Sequence, residues 1–185
     1  MNNNNSTAVQ ILQEKKATLK EALTLFDNSP PASLEFMKGR WKGYEIYTNH
    51  PMDGLLEITG WYGKLFVSPE EVHPLLFPTS NQKALYAVNP MLIPLNINFP
   101  KWRILKPVMT LLRPVLSTKK AKARMRMIEF RGKYTGAMVY DHKAIIDVFA
   151  KIDDNTMLGV MDRKREDKPY IFVLERDDTP YKLSF

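Results

Sequence analysis

The chain has no cysteine among its 185 residues. This absence excludes a disulfide framework, a thiolate nucleophile and a zinc site built on thiolates. Long apolar runs are also missing, and no uninterrupted stretch reaches the ~20 residues that a membrane-spanning helix needs. The polar start, Met1-Asn2-Asn3-Asn4-Asn5, lacks the basic segment and apolar run of a secretory signal. We therefore expect a soluble cytoplasmic protein.

The motifs of the common catalytic centres are absent as well. There is no Gly-x-Ser-x-Gly, no phosphate-binding loop and no dinucleotide fingerprint. His50, His73 and His142 have no partner at metal-ligand spacing, so we expect no metal and no cofactor. Asp147 and Asp162 lie in apolar runs, and either becomes a candidate acid or base if it points inward. The alternative for both is an outward orientation or a pairing with a basic residue.

Acidic residues are missing from the span 72–128, in a chain of formal net charge +7. Its basic residues are Lys83, Lys101, Arg103, Lys106, Arg113, Lys119, Lys120, Lys122, Arg124 and Arg126. Such asymmetry favours an anionic partner, although a solvated basic face is the simpler explanation. Trp102, between two basic residues, is the best local argument for nucleic acid. Because the charges alternate with Ile, Leu, Val and Met, the pattern favours anionic lipid, with a charge-edged oligomer interface as the alternative.

Residues 1–30 predict a tail followed by an amphipathic helix. We expect residues 2–5 to be disordered. Thr7 and Gln10 fit a capping box, and apolar residues at helical spacing predict one helix over about 8–26. The proline pair at 30–31 ends it. Residues 31–185 then predict one barrel-like domain with three parts, at 31–78, 79–122 and 123–185.

Residues 31–78 predict strands and turns around two glycine-flanked tryptophans. A strand is expected over about 40–47, a turn at 50–54, a return strand over 55–62 and its continuation over 64–67. Ser68, followed by proline and two glutamates, predicts the start of a brief helix. Residues 79–122 form a proline-rich apolar insertion that allows a short helix over about 108–112 and then a basic loop over 117–122.

The last part, 123–185, has the alternating apolar pattern of an antiparallel meander. Strands are predicted at 125–130, 135–140, 144–152, 157–161, 170–174 and 181–185, separated by turn residues. Together with the N-terminal strands the count reaches about eight, which is enough to close a small barrel around one ligand.

Several blocks carry a family resemblance. Gly39-x-Trp41-x-Gly43 resembles the signature of the GXWXG domain family, and the segments 50–56, 60–64 and 72–77 resemble its later blocks. Residues 131–177 resemble the domain of unknown function that usually follows in that family. The resemblance implies no particular activity. The Gly-x-Trp element also resembles the first strand of lipocalin-like (calycin) barrels, in which the tryptophan closes one barrel end.

The sequence thus predicts a mainly β protein that binds a lipid or other small apolar ligand without catalysis and has affinity for anionic phospholipid. The alternatives are an enzyme that acts inside the barrel and a nucleic-acid binder that uses residues 83–126. A homo-oligomer and a peripheral location at an anionic membrane are compatible with the pattern. The predicted ligand-binding residues are Trp41, Tyr44, Trp61, Tyr62, Trp102, Arg103, Lys119, Lys120, Lys122, Arg124 and Arg126.

Overall fold

The computed structural model describes residues 3–93 and 105–184. Side chains are described for residues 7–93 and 107–184. Ten strands form one sheet. All neighbouring strands are antiparallel except the pair of Ala84–Ala87 with Lys182–Leu183, which is parallel. In chain order the strands are β1 Gly39–Glu45, β2 Gly63–Ser68, β3 Glu71–Pro78, β4 Ala84–Ala87, β5 Ala123–Phe130, β6 Lys133–Tyr140, β7 Ile145–Lys151, β8 Thr156–Arg163, β9 Tyr170–Arg176 and β10 Lys182–Leu183.

Eight of these strands close into a barrel. Around the ring the order is β3, β2, β1, β9, β8, β7, β6 and β5, and the pairing of Val72 with Ala123 joins β5 back to β3. Strands β4 and β10 extend the sheet from β3 outside the ring. The structure confirms the predicted mainly β, antiparallel barrel, and a barrel of this size leaves room for side chains or one small ligand.

Six α-helices lie among the described residues. They are α1 Asn3–Glu14, α2 Leu19–Asn28, α3 Leu34–Met37, α4 Leu55–Thr59, α5 Leu105–Leu111 and α6 Arg113–Leu116, and a short 3-10 helix covers Pro90–Leu92. None of the helices within 3–93 and 105–184 is long and apolar enough to span a membrane.

The prediction of one N-terminal helix was wrong. The chain breaks at Lys15, whose φ is +51°, and a second helix begins with a capping box between Thr18 and Glu21. Helix α1 begins at Asn3, inside the tip that was expected to be disordered, so Thr7 and Gln10 lie within it and do not cap it. The break lets both helices pack on the outer face of the barrel, where Phe26 meets Phe130 edge-on at 5.8 Å.

Two predictions in residues 55–71 were also wrong. The expected return strand is helix α4, and the true partner of β1 is β2, which was predicted only as a short continuation. The expected helix start at Ser68 is the tight connection between β2 and β3, where Ser68 pairs with Glu71. A short apolar run does not distinguish helix from strand by periodicity, and the Ser-Pro-Glu-Glu pattern also suits a turn.

The remaining expectations for the insertion and the meander agree with the structure in part, since the insertion also contains β4, which was not predicted. Helix α5 covers residues 108–111 of the predicted helix over about 108–112, and 117–122 is an irregular basic segment. Strands β5 to β9 pair consecutively as antiparallel neighbours. The last predicted strand is reduced to β10, which pairs with β4 in parallel.

Candidate functional site

The barrel encloses a cavity of about 130 Å³ whose wall is almost entirely apolar. A single water needs only about 10–15 Å³, so the cavity has room for an organic group. Barrel residues such as Leu75, Phe77, Ile145, Met161 and Phe172 form the wall. Helix α4 contributes Leu55, Leu56 and Thr59, and Pro90, Ile93 and Met109 come from the insertion. The cavity therefore lies where helices cover one opening of the barrel.

A buried polar network positions helix α4 over this opening. Asp53 Oδ2 accepts hydrogen bonds from the backbone N–H groups of Thr48 at 3.0 Å and His50 at 2.9 Å. Glu45, on β1, accepts from the N–H of Gly54 at 2.7 Å and from the hydroxyl of Tyr170. Glu45 also accepts from the N–H of Glu57 at 3.3 Å, so its carboxylate satisfies two donors at the start of α4 that would otherwise be orphaned. Together these bonds hold residues 50–54 in a turn that leads into α4.

Inside the cavity a lysine and an aspartate form an ion pair. Lys64 Nζ lies 2.8 Å from Asp147 Oδ2, and their side chains are only 4% and 1% exposed. The ammonium also donates to the carbonyl of Pro74 at 3.3 Å. The aromatic rings of Trp61, Tyr140 and Phe172 have their centroids 5.1–5.7 Å from Nζ. Lys64 is therefore held by one carboxylate, one carbonyl and aromatic faces.

A β-bulge accompanies this lysine. The pairing of β2 with β3 shifts register between Gly63 and Leu65, opposite the segment that contains Pro74. Proline cannot donate to the ladder, so a bulge is a place where it can be accommodated within a sheet. Bulges also re-aim nearby side chains and are frequent beside functional sites.

The electrostatics of the pair are set by burial. Desolvation raises the pKa of the Asp147 carboxyl, and the neighbouring Lys64 ammonium opposes that rise. Desolvation and the Asp147 charge raise the pKa of Tyr140 well above its usual value. Among the described residues, Asp147 Oδ1 and Trp61 Nε1 are buried without a hydrogen-bond partner. The first of these atoms is an acceptor and the second is a donor.

The glycine-tryptophan motif shapes the wall next to this pair. A Cβ atom at Gly43 would overlap Cζ3 and Cη2 of Trp61 and lie 3.0 Å from Cδ2 of Leu174. The absence of a side chain at Gly43 is what leaves space for the indole of Trp61. The second glycine of the motif therefore positions a cavity residue from another segment of the chain.

Trp41, the motif's own tryptophan, is fully buried in the core. Its Nε1 donates to the carbonyl of Met37 at 2.8 Å, and the Arg176 guanidinium lies 4.2 Å from the centroid of its ring. Arg176 also donates to the carbonyls of Phe36 and Lys38, both at 2.9 Å. Helix α3 and Arg176 together cover this tryptophan.

The other predicted aromatic residues are spread over the molecule. Trp61 lines the cavity. Tyr44 packs towards the N-terminal helices, with Lys15 Nζ 4.7 Å from its ring. Tyr62 packs with Tyr181 and donates its hydroxyl hydrogen bond to Asp177. Trp102 and Arg103 lie outside the described residues.

The predicted basic residues lie on the outer surface. Lys119, Lys120 and Arg124 are exposed and Lys122 is half-buried. Arg126 pairs with Glu70 at 2.7 Å, so part of the basic span is neutralised by a flanking acid. The structure brings none of these five side chains into the cavity wall.

Two of the three histidines are buried: His50 is 5% exposed and His73 is 2% exposed. His50 contacts the carbonyl of Lys168 through Nε2 and accepts from the N–H of Met52 through Nδ1. No cluster of three potential metal ligands occurs within 3–93 and 105–184. Asp147 points inward and is paired with a base, whereas Asp162 is exposed.

Lys64 was not among the predicted site residues. It alternates with Phe66 on β2, and both side chains are buried. The signal that could have found it is a lysine two residues from an inward-facing phenylalanine on one strand, because alternate side chains of a strand lie on the same face. Its partner, Asp147, is identifiable only after the barrel has closed.

The comparisons with known proteins agree with this architecture. The family model of the GXWXG protein matches residues 24–81, and that of the domain of unknown function DUF4334 matches residues 121–176. A crystal structure of a protein from Thermomonospora curvata has the same fold, with a TM-score of 0.71, 24% identity and coverage of 95% of this chain and 99% of that one. No curated protein matches the chain. The chain therefore carries the GXWXG domain followed by its C-terminal companion, DUF4334.

Proposed function

We propose that this protein binds a lipid or another small apolar ligand inside the barrel, without catalysis. The supporting observation is the cavity itself, which combines a wall of aliphatic and aromatic side chains with the Lys64–Asp147 pair. Ligand sites of this kind are concave, mostly apolar and carry a few polar groups that fix orientation.

Native mass spectrometry of protein purified from cells tests the proposal. We expect a bound species that adds a discrete mass and that is released when the protein is denatured. The matched variant is Ile145→Trp, which fills the cavity from β7, whereas Val67→Trp adds the same side chain at an exposed position on β2. The adduct should disappear in the first variant and remain in the second. Equal adduct levels in two folded variants would place the ligand elsewhere.

We further propose that the ligand is exchanged at an anionic membrane surface. Five apolar side chains, Met91, Leu92, Leu111, Leu112 and Val115, are exposed and form what we call the mouth surface. They lie on the same short helices that contribute Pro90 and Met109 to the cavity wall, or directly beside them. The N–H of Asn89 donates to the carbonyl of Leu116 at 2.8 Å and so ties the two parts together.

The charge near the mouth surface suits such a membrane. Lys119 and Lys120 lie within four residues of the end of α6 and are exposed, and the chain there contains no acidic residue. Apolar side chains contact the acyl region while basic residues are attracted to anionic headgroups. Each basic residue near such a surface contributes about 1 kcal/mol, so a few together give reversible attachment.

Cosedimentation with vesicles tests this second part. We expect binding to phosphatidylglycerol vesicles that weakens as salt rises, and far less binding to phosphatidylcholine. Changing Lys119, Lys120 and Lys122 to Glu should reduce it. The same charge change at Lys16, Lys20 and Lys42, which are exposed at other positions, is the control and should reduce it less. Equal, negligible binding to both vesicles would refute membrane affinity, and binding of single-stranded oligonucleotides instead would favour nucleic acid.

An enzyme is the second candidate, because Asp147 is inward-facing and its pKa is raised by burial. A carboxyl group with these properties is a candidate acid or base. Asp147→Asn and Asp162→Asn form a matched pair, since the second residue is exposed. Conversion of a copurified ligand that is lost in the first variant and kept in the second would establish catalysis. With no conversion by the wild type, the binding function stands.

A further inference from the structure

Two buried polar atoms, each on a residue that lines the cavity, have no protein partner within 3–93 and 105–184, and they are of opposite kind. Asp147 Oδ1 is an acceptor, and Trp61 Nε1 is a donor. Their residues are 1% and 8% exposed, and both line the cavity. Buried polar groups in native proteins are hydrogen-bonded in the great majority of cases. A bound molecule is the natural partner for groups that line a binding cavity.

The neighbouring groups of the site do not satisfy these two atoms. Asp147 Oδ2 is already engaged by Lys64 at 2.8 Å, and Lys64 donates a second bond to Pro74 at 3.3 Å. The benzo edge of Trp61 faces Gly43, so its pyrrole N–H lies on the opposite edge of the indole.

The charge of the site excludes most ionised headgroups. Lys64 and Asp147 together are neutral, and the surrounding wall is apolar. A carboxylate ligand would be buried without its own counter-charge and beside the Asp147 oxygen, which is costly. An ether oxygen or a simple ketone could accept from Trp61 but could not donate to Asp147. A hydroxyl group does both.

We propose that the cavity takes an apolar ligand with an un-ionised hydroxyl group, which donates to Asp147 Oδ1 and accepts from Trp61 Nε1. This inference rests on the proposed binding function and specifies its ligand class. The size agrees, because a cavity of about 130 Å³ compares with the ~150 Å³ that accommodates benzene. A short-chain or single-ring alcohol fits, and a longer chain extends past Ile93 and Met109 towards the mouth surface.

Three probes of nearly equal size test the inference on the full chain at pH 7.5. Octan-1-ol donates and accepts, 1-methoxyoctane only accepts, and octanoate is ionised. We expect calorimetric titration to give a Kd for octan-1-ol at least ~10-fold below that of 1-methoxyoctane, which is about 1.4 kcal/mol. Octanoate should bind more weakly than the ether.

A double variant isolates the polar pair. Lys64→Met with Asp147→Leu replaces both charges by apolar side chains of similar volume, a change that is often tolerated when both partners are removed. It should lose the ~10-fold preference for octan-1-ol over 1-methoxyoctane. Trp61→Phe removes only the indole donor and should lower the preference in part.

These measurements distinguish failure of the hydroxyl assignment from failure of the proposed binding function. If octan-1-ol and 1-methoxyoctane bind the wild type equally, the hydroxyl assignment fails while the apolar binding function stands. Tightest binding by octanoate also overturns the assignment. If none of the three probes binds, the assignment and the cavity function fail together. The wild-type comparison decides these cases even if the double variant does not fold.

Discussion

Replacing Gly43 by alanine adds one methyl group at the point where the GXWXG motif meets the cavity. The new Cβ would overlap Cζ3 and Cη2 of Trp61 and would touch Leu174, which is fully buried. Backbone strain does not contribute, because Gly43 is not among the residues with positive φ. The effect therefore depends on whether the Trp61 indole can move.

The two contributions to stability have opposite signs. Alanine in a strand stabilises the protein by roughly 0.5–1 kcal/mol relative to glycine, because its backbone has less conformational entropy to lose on folding. Overpacking a well-filled core costs about 1–3 kcal/mol. We expect the second to prevail, with a net cost of up to about 2.5 kcal/mol, which for a chain of this size lowers the Tm by up to roughly 10 °C. Because Trp61 lines the cavity, affinity for the cavity ligand should fall as well.

A double-mutant cycle with Trp61→Leu identifies the cause. Removing the indole eliminates the clash, so Gly43→Ala in that background should be neutral or slightly stabilising. Thermal unfolding and urea midpoints of the four proteins give the coupling free energy, which we expect to be about 1 kcal/mol or more. A Gly43→Ala protein at least as stable as the wild type would refute the steric argument, as would an unchanged cost in the Trp61→Leu background.

Two further predictions concern the core and its pH dependence. Trp41→Ala should lower the free energy of unfolding by roughly 3–5 kcal/mol, because the side chain is fully buried. The control, Tyr134→Ala at an exposed position, should change it by no more than about 0.5 kcal/mol. Equal urea midpoints of the two variants would show that Trp41 does not belong to the core. Burial lowers the pKa of His73 below its usual 6.5, so the unfolded chain binds the proton more readily and stability is lost as the pH falls from 6.5 through the folded pKa. Between pH 7.5 and 5 this loss should be smaller in His73→Gln, and identical slopes would contradict it.

The sequence by itself determined the strands of the meander and the class of the fold. Residues 123–176 alternate apolar and polar side chains between turn signals, and consecutive short strands with tight connections pair as antiparallel neighbours. The Gly-x-Trp-x-Gly pattern predicted a buried tryptophan, and Trp41 is fully buried. These features are local, since periodicity and turn chemistry act over a few residues.

Residues 15 and 55–59 show where local patterns were insufficient. The apolar spacing continues across Lys15, but its left-handed backbone redirects the chain so that α1 and α2 both reach the barrel. The run at 55–59 is too short for its period to identify a helix. It is helical because Glu45, from β1, accepts hydrogen bonds near its start, and this partner is brought there by the fold.

The site itself was decided by closure of the barrel. Lys64 on β2 and Asp147 on β7 are not neighbours in the chain or in the sheet, and they meet across the barrel interior. Sequence reasoning recognised Asp147 as a candidate if it pointed inward, but nothing local selects Lys64 as its partner. The same holds for Gly43 and Trp61, whose contact exists only when two segments face one interior. Periodicity assigns a side chain to a face of its strand, whereas strand order and closure determine which side chains share the enclosed space.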